Sequence, residues 1–233
     1  MVGGAAAFDK PDYERERQKI VGLLEEIAQL AIRYNLAVVD GGTNFGVMKL
    51  MGQTCWRHKY RFPLVGVAPS GVVDWNGNPR AMNYQQTWYG SGFNLNLKQL
   101  LPRGAAGDEA PVPLNDNHTA FVLVDANEWG DEVEMLAAVA HELAHGGRHL
   151  EVLINGGAIA RRDITAYLRH GGQVVVIEGS GRFADELAQA LRMGYSVDRE
   201  VQAVLNTNRV HLFPIDGSPA ALGQLLLSLG AWV

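Results

Sequence analysis

Two hydrophobic rhythms alternate along the chain. Between residues 11 and 34, Ile20, Leu23, Leu24, Ile27, Leu30 and Ala31 recur three or four positions apart, the spacing of one helix face. Pro11 and Asp12 stand at its start, where Asp12 can cap it. Short, largely apolar runs follow at 36–39, 63–68, 120–124, 150–154, 173–177 and 210–213. Helical spacing returns between them, over about 45–52, 131–145, 158–170, 183–193 and 219–229. Largely apolar strands separated by amphipathic helices predict an α/β fold. Its sheet is parallel and covered on both faces, with right-handed crossovers.

Residues 70–117 break the rhythm. They are rich in Gly, Asn and Pro and carry Trp75, Tyr84, Trp88, Tyr89 and Phe93, with room for one helical turn at 95–101. A loop of this length is usually functional. Its aromatics suit a lid or base-stacking surface, or equally a buried interface. With no repeat and no linker, residues 1–233 read as a single domain carrying this insert. Gly3-Gly4 reads as the end of a strand whose start is missing, and the chain stops just after a helix, which fits a piece of a longer protein.

Composition narrows the function classes. The 233 residues hold 20 basic and 25 acidic side chains, a net charge of −5 that argues against a nucleic-acid footprint. No run approaches the ~18 apolar residues of a membrane span, and the N-terminus lacks the marks of a signal peptide. The lone Cys55 leaves no internal disulfide and fits a reducing compartment, so the expected location is cytoplasmic. The excess lies in glycine, 27 residues. Glycine weakens helices and strands, so its placement should follow backbone need.

Three glycine motifs follow apolar strands. They are Gly41-Gly42-Thr43-Asn44-Phe45-Gly46, Asn155-Gly156-Gly157 and Gly179-Ser180-Gly181-Arg182. In an open α/β sheet all three lie at the carboxyl edge, where ligands bind. A helix N-terminus beyond such a loop favours phosphate, and Arg182 adds a charged fork. The bland reading is that strand-to-helix turns need glycine anyway. Neither the dinucleotide fingerprint nor the GxxxxGK[ST] loop is present.

Four segments occur in order: Asp-Gly-Gly-Thr-Asn-Phe-Gly-Val-Met (40–48), His-Thr-Ala-Phe-Val-Leu-Val-Asp (118–125), Leu-Ile-Asn-Gly-Gly (153–157) and Glu-Gly-Ser-Gly-Arg-Phe-Ala-Asp (178–185). Together they strongly resemble the SLOG superfamily. The resemblance is to the prokaryotic LSDAT-type branch, similar to the N-terminal ligand-sensing domain of melastatin-type TRP channels. It runs from about residue 36 to 190, and Gly-Ser-Gly-Arg-x-Ala-Asp is its most specific part. It implies a Rossmann-like three-layer sandwich with a mostly parallel central sheet. It also implies a nucleotide-derived ligand such as ADP-ribose, an NAD-derived molecule or a cyclic nucleotide. By this analogy the site uses Gly42, Thr43, Asn44, Asn155, Gly156, Gly179, Gly181 and Arg182, with Gly41, Gly46, Gly157 and Ser180 in the same loops. Relatives often dimerise, and a fused or associated effector would read the signal.

The same superfamily contains phosphoribohydrolases, which carry Pro-Gly-Gly-x-Gly-Thr-x-x-Glu. Here Glu186 falls at the catalytic position, but the proline, one glycine and the threonine are replaced. That departure favours binding over turnover and leaves Glu186 and Glu178 as the candidates for an N-glycosidic cleavage. His118 begins a family segment and is either structural or a ligand contact. Asp185, like Asp40, Asp125 and Glu178, suits either ribose hydroxyls or the next helix as a cap.

His141-Glu142-Leu143-Ala144-His145 is a literal HExxH, a zinc-peptidase signature when it sits on a helix, and His149 could add a third ligand. The longer zinc-binding extension would need Gly at 148 and His at 151, and finds Arg148 and Glu151. The favoured reading is an outer crossover helix with Val133, Leu136, Ala137, Ala140 and Ala144 as its core stripe and no metal.

Overall fold

The computed structural model describes residues 13–75, 110–145 and 147–230, and the backbone of residues 2–3. Nine strands are labelled in chain order: β1 Val2–Gly3, β2 Val38–Asp40, β3 Leu64–Pro69, β4 Val73–Asp74, β5 Val112–Pro113, β6 Ala120–Val124, β7 Leu150–Ile154, β8 Gln173–Glu178 and β9 Val210–Pro214. The helices, numbered likewise, are α1 Glu14–Tyr34, α2 Gly46–Arg57, α3 Val133–Leu143, α4 Ala158–Arg169, α5 Arg182–Met193, α6 Arg199–Leu205 and α7 Pro219–Gly230. Among the described residues no helix is long and apolar enough to cross a membrane.

Every ladder is parallel, as the apolar strands and helical crossovers require. Among the described residues hydrogen bonding forms two sheets where one was expected, β1-β7-β8-β9 and β2-β3-β6, with β4-β5 a small separate pair. Side chains rejoin them. Val38 and Leu64 from one sheet share a core with Val152, Ile154, Val175 and Ile177 from the other, under α1, α2 and α7. The pleat sends the alternate residues Leu153, Val174 and Val176 to the opposite face, where α4, α5 and α6 cover them. Val39, Val65 and Val67 likewise face α3. The result is the three-layer, Rossmann-like sandwich.

Local chemistry sets several boundaries. Helix α1 ends at Asn35, whose left-handed backbone (φ 52°) lets its N–H reach the Ala31 carbonyl. Helix α6, which the hydrophobic pattern does not predict, is only seven residues long. Asp198 caps it, accepting from the N–H groups of Glu200 and Val201. Helix α2 runs to Arg57, beyond the expected end near residue 52. The insert is less irregular than expected: β4 and β5 pair within it, and Leu114 bridges to Thr43. The expected turn at 95–101 and the aromatics Tyr84, Trp88, Tyr89 and Phe93 lie outside the described residues.

Candidate functional site

The strands of both sheets end on one edge, and three loops there hold most of the residues singled out from sequence. The first follows β2. Asp40 is buried, and its Oδ1 accepts the Gly42 N–H at 2.8 Å while facing His118 Nε2 at 2.7 Å. His118 is 0% exposed and stacked on Phe121, with ring centroids 5.4 Å apart. Its Nδ1 lies 3.3 Å from Asn115 Oδ1, and Asn115 Nδ2 donates to Asn44 Oδ1 at 2.9 Å. Main-chain bonds from Asn115 to Gly42 O and from Asn44 to Pro113 O complete the strap, each 2.9 Å. Residues 113–118 therefore pin loop 41–46 from below. His118, grouped in the sequence with the ligand contacts, is wholly buried against Asp40, Asn115 and Phe121. Any other residue at Gly42 would be strained. Its φ is +68°, and a Cβ would stand 2.8 Å from the Gly66 Cα on β3. Above this base Asn44 and Phe45 are exposed, and α2 opens at Gly46 with no side-chain cap.

The loops after β7 and β8 form one unit. The Asn155 N–H donates to Ser180 Oγ at 2.7 Å, and Asn155 Nδ2 donates to the Ser180 carbonyl at 2.7 Å. Ser180 Oγ in turn donates to Ile177 O at 2.6 Å, so this buried hydroxyl is a brace between the loops. The first N–H groups of α5 are used in the same way: Ala184 donates to Asn155 O at 2.9 Å. Tyr13, which precedes α1, donates its hydroxyl to the Ser180 carbonyl and accepts from Asn155 Nδ2 at 3.4 Å. Burial pushes the Tyr13 phenol up, so it stays a donor near neutrality. After all these bonds Asn155 Oδ1 remains buried without a hydrogen-bond partner.

Gly156 and Gly157 lead into α4, which has no side-chain cap. Arg182, the first residue of α5, reaches across to this point. A Cβ on Gly157 would lie 2.7 Å from the Arg182 Nη2, so the missing side chain makes room for the guanidinium. Asp185 Oδ1 accepts the Gly179 N–H at 2.6 Å and fixes the loop rather than standing free. The edge thus joins an arginine, an uncapped helix N-terminus with its partial positive charge, and an orphaned buried acceptor.

The two candidate catalytic carboxylates are held elsewhere. Glu178 receives a bidentate pair from Arg192, at 2.7 and 2.6 Å, which holds its pKa below the usual carboxylate range. Glu186 is bound at 2.7 Å by Arg161, which also grips Asp198 and lies over the Phe183 ring.

The HExxH segment does not form the expected helix to residue 145. Helix α3 ends at Leu143, and His145 is exposed in a left-handed conformation, φ 48°. The two imidazoles therefore do not share a helical turn. His141 instead faces His149 at 3.3 Å. Among the described residues no three His, Cys, Asp or Glu side chains are grouped to hold a metal ion. Sequence reasoning missed Tyr13 and Asn115. A lone aromatic before a helix and an Asn in an irregular stretch carry no periodic signal.

Solved structures of the same fold are similar in extent to this chain. One is the molybdenum cofactor binding protein from the phototrophic bacterium Rippkaea orientalis, at 14% identity and a TM-score of 0.54, with 97% of this chain and 93% of that chain covered. Another is the molybdenum cofactor carrier protein from Chlamydomonas reinhardtii, at 14% identity and a TM-score of 0.51, covering 97% and 95%. At such identities the likeness is one of fold. The family profile described as "SLOG in TRPM, prokaryote" matches residues 1–223. The chain belongs to this prokaryotic SLOG family.

Proposed function

We propose that the chain is a ligand-sensing domain that binds a nucleotide-derived small molecule at the carboxyl edge of its sheets. The observation that carries the reading is the meeting of Arg182 with the uncapped start of α4 across Gly157, beside the unpartnered Asn155 Oδ1. The guanidinium and the helix N-terminus suit a phosphate, and the orphaned acceptor suits a hydroxyl or amine donor on the same ligand. Loop 41–46, with exposed Asn44 and Phe45, offers a second polar and aromatic contact. Two proteins of similar fold are described as molybdenum cofactor carriers or binders, which supports use of this architecture for small-molecule ligands.

The reading is binding rather than cleavage. A glycosidic hydrolysis needs a carboxylate free to assist the leaving base or activate water. Glu178 and Glu186 each carry an arginine partner instead. The test is to incubate the protein with ADP-ribose, NAD, AMP and cyclic nucleotides and follow melting temperature and released base together. A melting shift without released base, lost in Arg182→Ala, is expected. Base release abolished by Glu186→Gln would replace this reading with the hydrolase. No shift with any of these nucleotides would refute the nucleotide ligand.

A further inference from the structure

The opposite end of the sandwich holds a feature that the edge site does not use. Among the described residues strand β1 pairs with Leu153 and Ile154, and no ladder closes the gap between β2 and β7. A cavity of about 520 Å³ fills this gap, bounded by Val38 and Val39 on one side and Leu150, Glu151 and Val152 on the other. Its walls are largely apolar, with Leu30 from α1, Leu136 and Leu143 from α3, and Leu226 from α7. The volume falls within the range of small-molecule sites.

Five polar residues interrupt these walls, Asn35, Arg148, His149, Glu151 and Tyr167, and three of them carry buried unpaired atoms. Glu151 is 1% exposed, and both its carboxylate oxygens are buried with no hydrogen-bond partner. Its neighbours Leu150 and Val152 belong to the core under α1 and α7, so the pleat turns Glu151 to the α3–α4 side. Tyr167 on α4 also lines the cavity, and its hydroxyl is buried and unpartnered. The third group, the His149 Nδ1, is equally without a partner. The His149 ring packs edge-on against Tyr167, 4.8 Å between centroids. Arg148 stands at the rim, exposed, with Nη1 3.5 Å from the Leu229 carbonyl.

Native proteins rarely leave so many buried polar atoms unpaired in one place. An apolar ligand would fill the volume but leave the carboxyl orphaned. An anion would be repelled by Glu151. An inorganic cation lacks both the ligand set and the apolar body that these walls fit. We propose that this cavity is a second small-molecule site, specific for an organic ammonium ion on an apolar body. In it Glu151 is the counter-ion, while Tyr167 and His149 accept or donate the remaining hydrogen bonds. The site lies at the end of the sheets opposite the glycine loops and is independent of the nucleotide reading.

Benzylamine and its neutral isostere benzyl alcohol test it on the full chain, by calorimetric titration and thermal unfolding at pH 8. Benzylamine should bind and raise the melting temperature; benzyl alcohol should do so far less. Glu151→Gln should weaken benzylamine binding roughly tenfold or more, the loss expected for one charge-assisted hydrogen bond. Ala140→Phe, which fills the cavity from α3, should abolish binding while circular dichroism reports the native fold. Arg182→Ala should leave benzylamine binding intact, which separates this site from the edge site. Absence of benzylamine binding by the parent protein, equal binding of the two probes, or undiminished binding by a folded Glu151→Gln protein would overturn the proposal.

Discussion

Replacing Glu151 by Gln should make the protein more stable, and only at neutral and alkaline pH. Burial raises the Glu151 carboxyl from 4.5 to about 7, against a smaller opposing pull from the N-terminal ammonium. The folded state therefore holds this proton more tightly than the unfolded chain does. Stability from this group is complete below about pH 4.5, falls as the pH rises toward 7, and is lost above 7. The interval corresponds to roughly 3 kcal/mol, a large part of a typical domain's stability. Asp163, itself pushed well up by burial and then by the Glu151 charge, adds to the same trend. Glutamine has nearly the same shape and no proton to lose. The variant should thus lie within about 1 kcal/mol of the parent at pH 4.5 and exceed it by roughly 3 kcal/mol at pH 8. Urea unfolding followed by tryptophan fluorescence at several values from pH 4.5 to 8.5 reads this difference directly. Parallel stability curves for parent and variant would show that Glu151 is solvated or paired, and would refute the reasoning.

The edge site yields sharper contrasts. Gly157→Ala keeps an ordinary extended backbone (φ −136°), so urea unfolding should change by no more than about 1 kcal/mol, yet nucleotide affinity should fall as far as in Arg182→Ala, because the new methyl displaces the guanidinium. Gly42→Ala meets backbone rather than a flexible tip, and with its positive φ should cost on the order of 1–3 kcal/mol of stability by the same assay. His118→Ala removes the partner of a buried carboxyl and opens space beside Phe121. A loss of about 3 kcal/mol or more is expected, with loop 41–46 gaining proteolytic sensitivity; a loss below about 1 kcal/mol would show that His118 does not brace Asp40.

The layers of the fold were legible because the strands are buried on both faces. Val174-Val175-Val176-Ile177 reads as a covered parallel strand, and the structure sends its residues alternately to the two cores. The short α6 was not legible, since seven residues give too few turns for a periodic signal. The glycine loops were found because strand ends and glycines coincide in sequence. The details of each loop were not. That Arg182 lies over Gly157, that Ser180 is a brace, and that Tyr13 reaches Ser180 from 167 residues away all depend on side chains meeting across elements. The helix end near the HExxH segment was misplaced by two residues. The chain leaves the helix before His145, and a motif written for a helical turn loses its geometry with the helix.

The division of the strands into two ladders has a mechanical consequence. Backbone hydrogen bonds resist shear within each ladder, but among the described residues none joins β2 to β1 or β7. The seam is held by greasy contacts, which tolerate small sliding far better than a register of hydrogen bonds does. Loop 41–46 rides on one leaf, while residues 155–157 and 179–182 ride on the other. A molecule gripping both would be a rivet through the seam, turning two leaves that can slip into one plate.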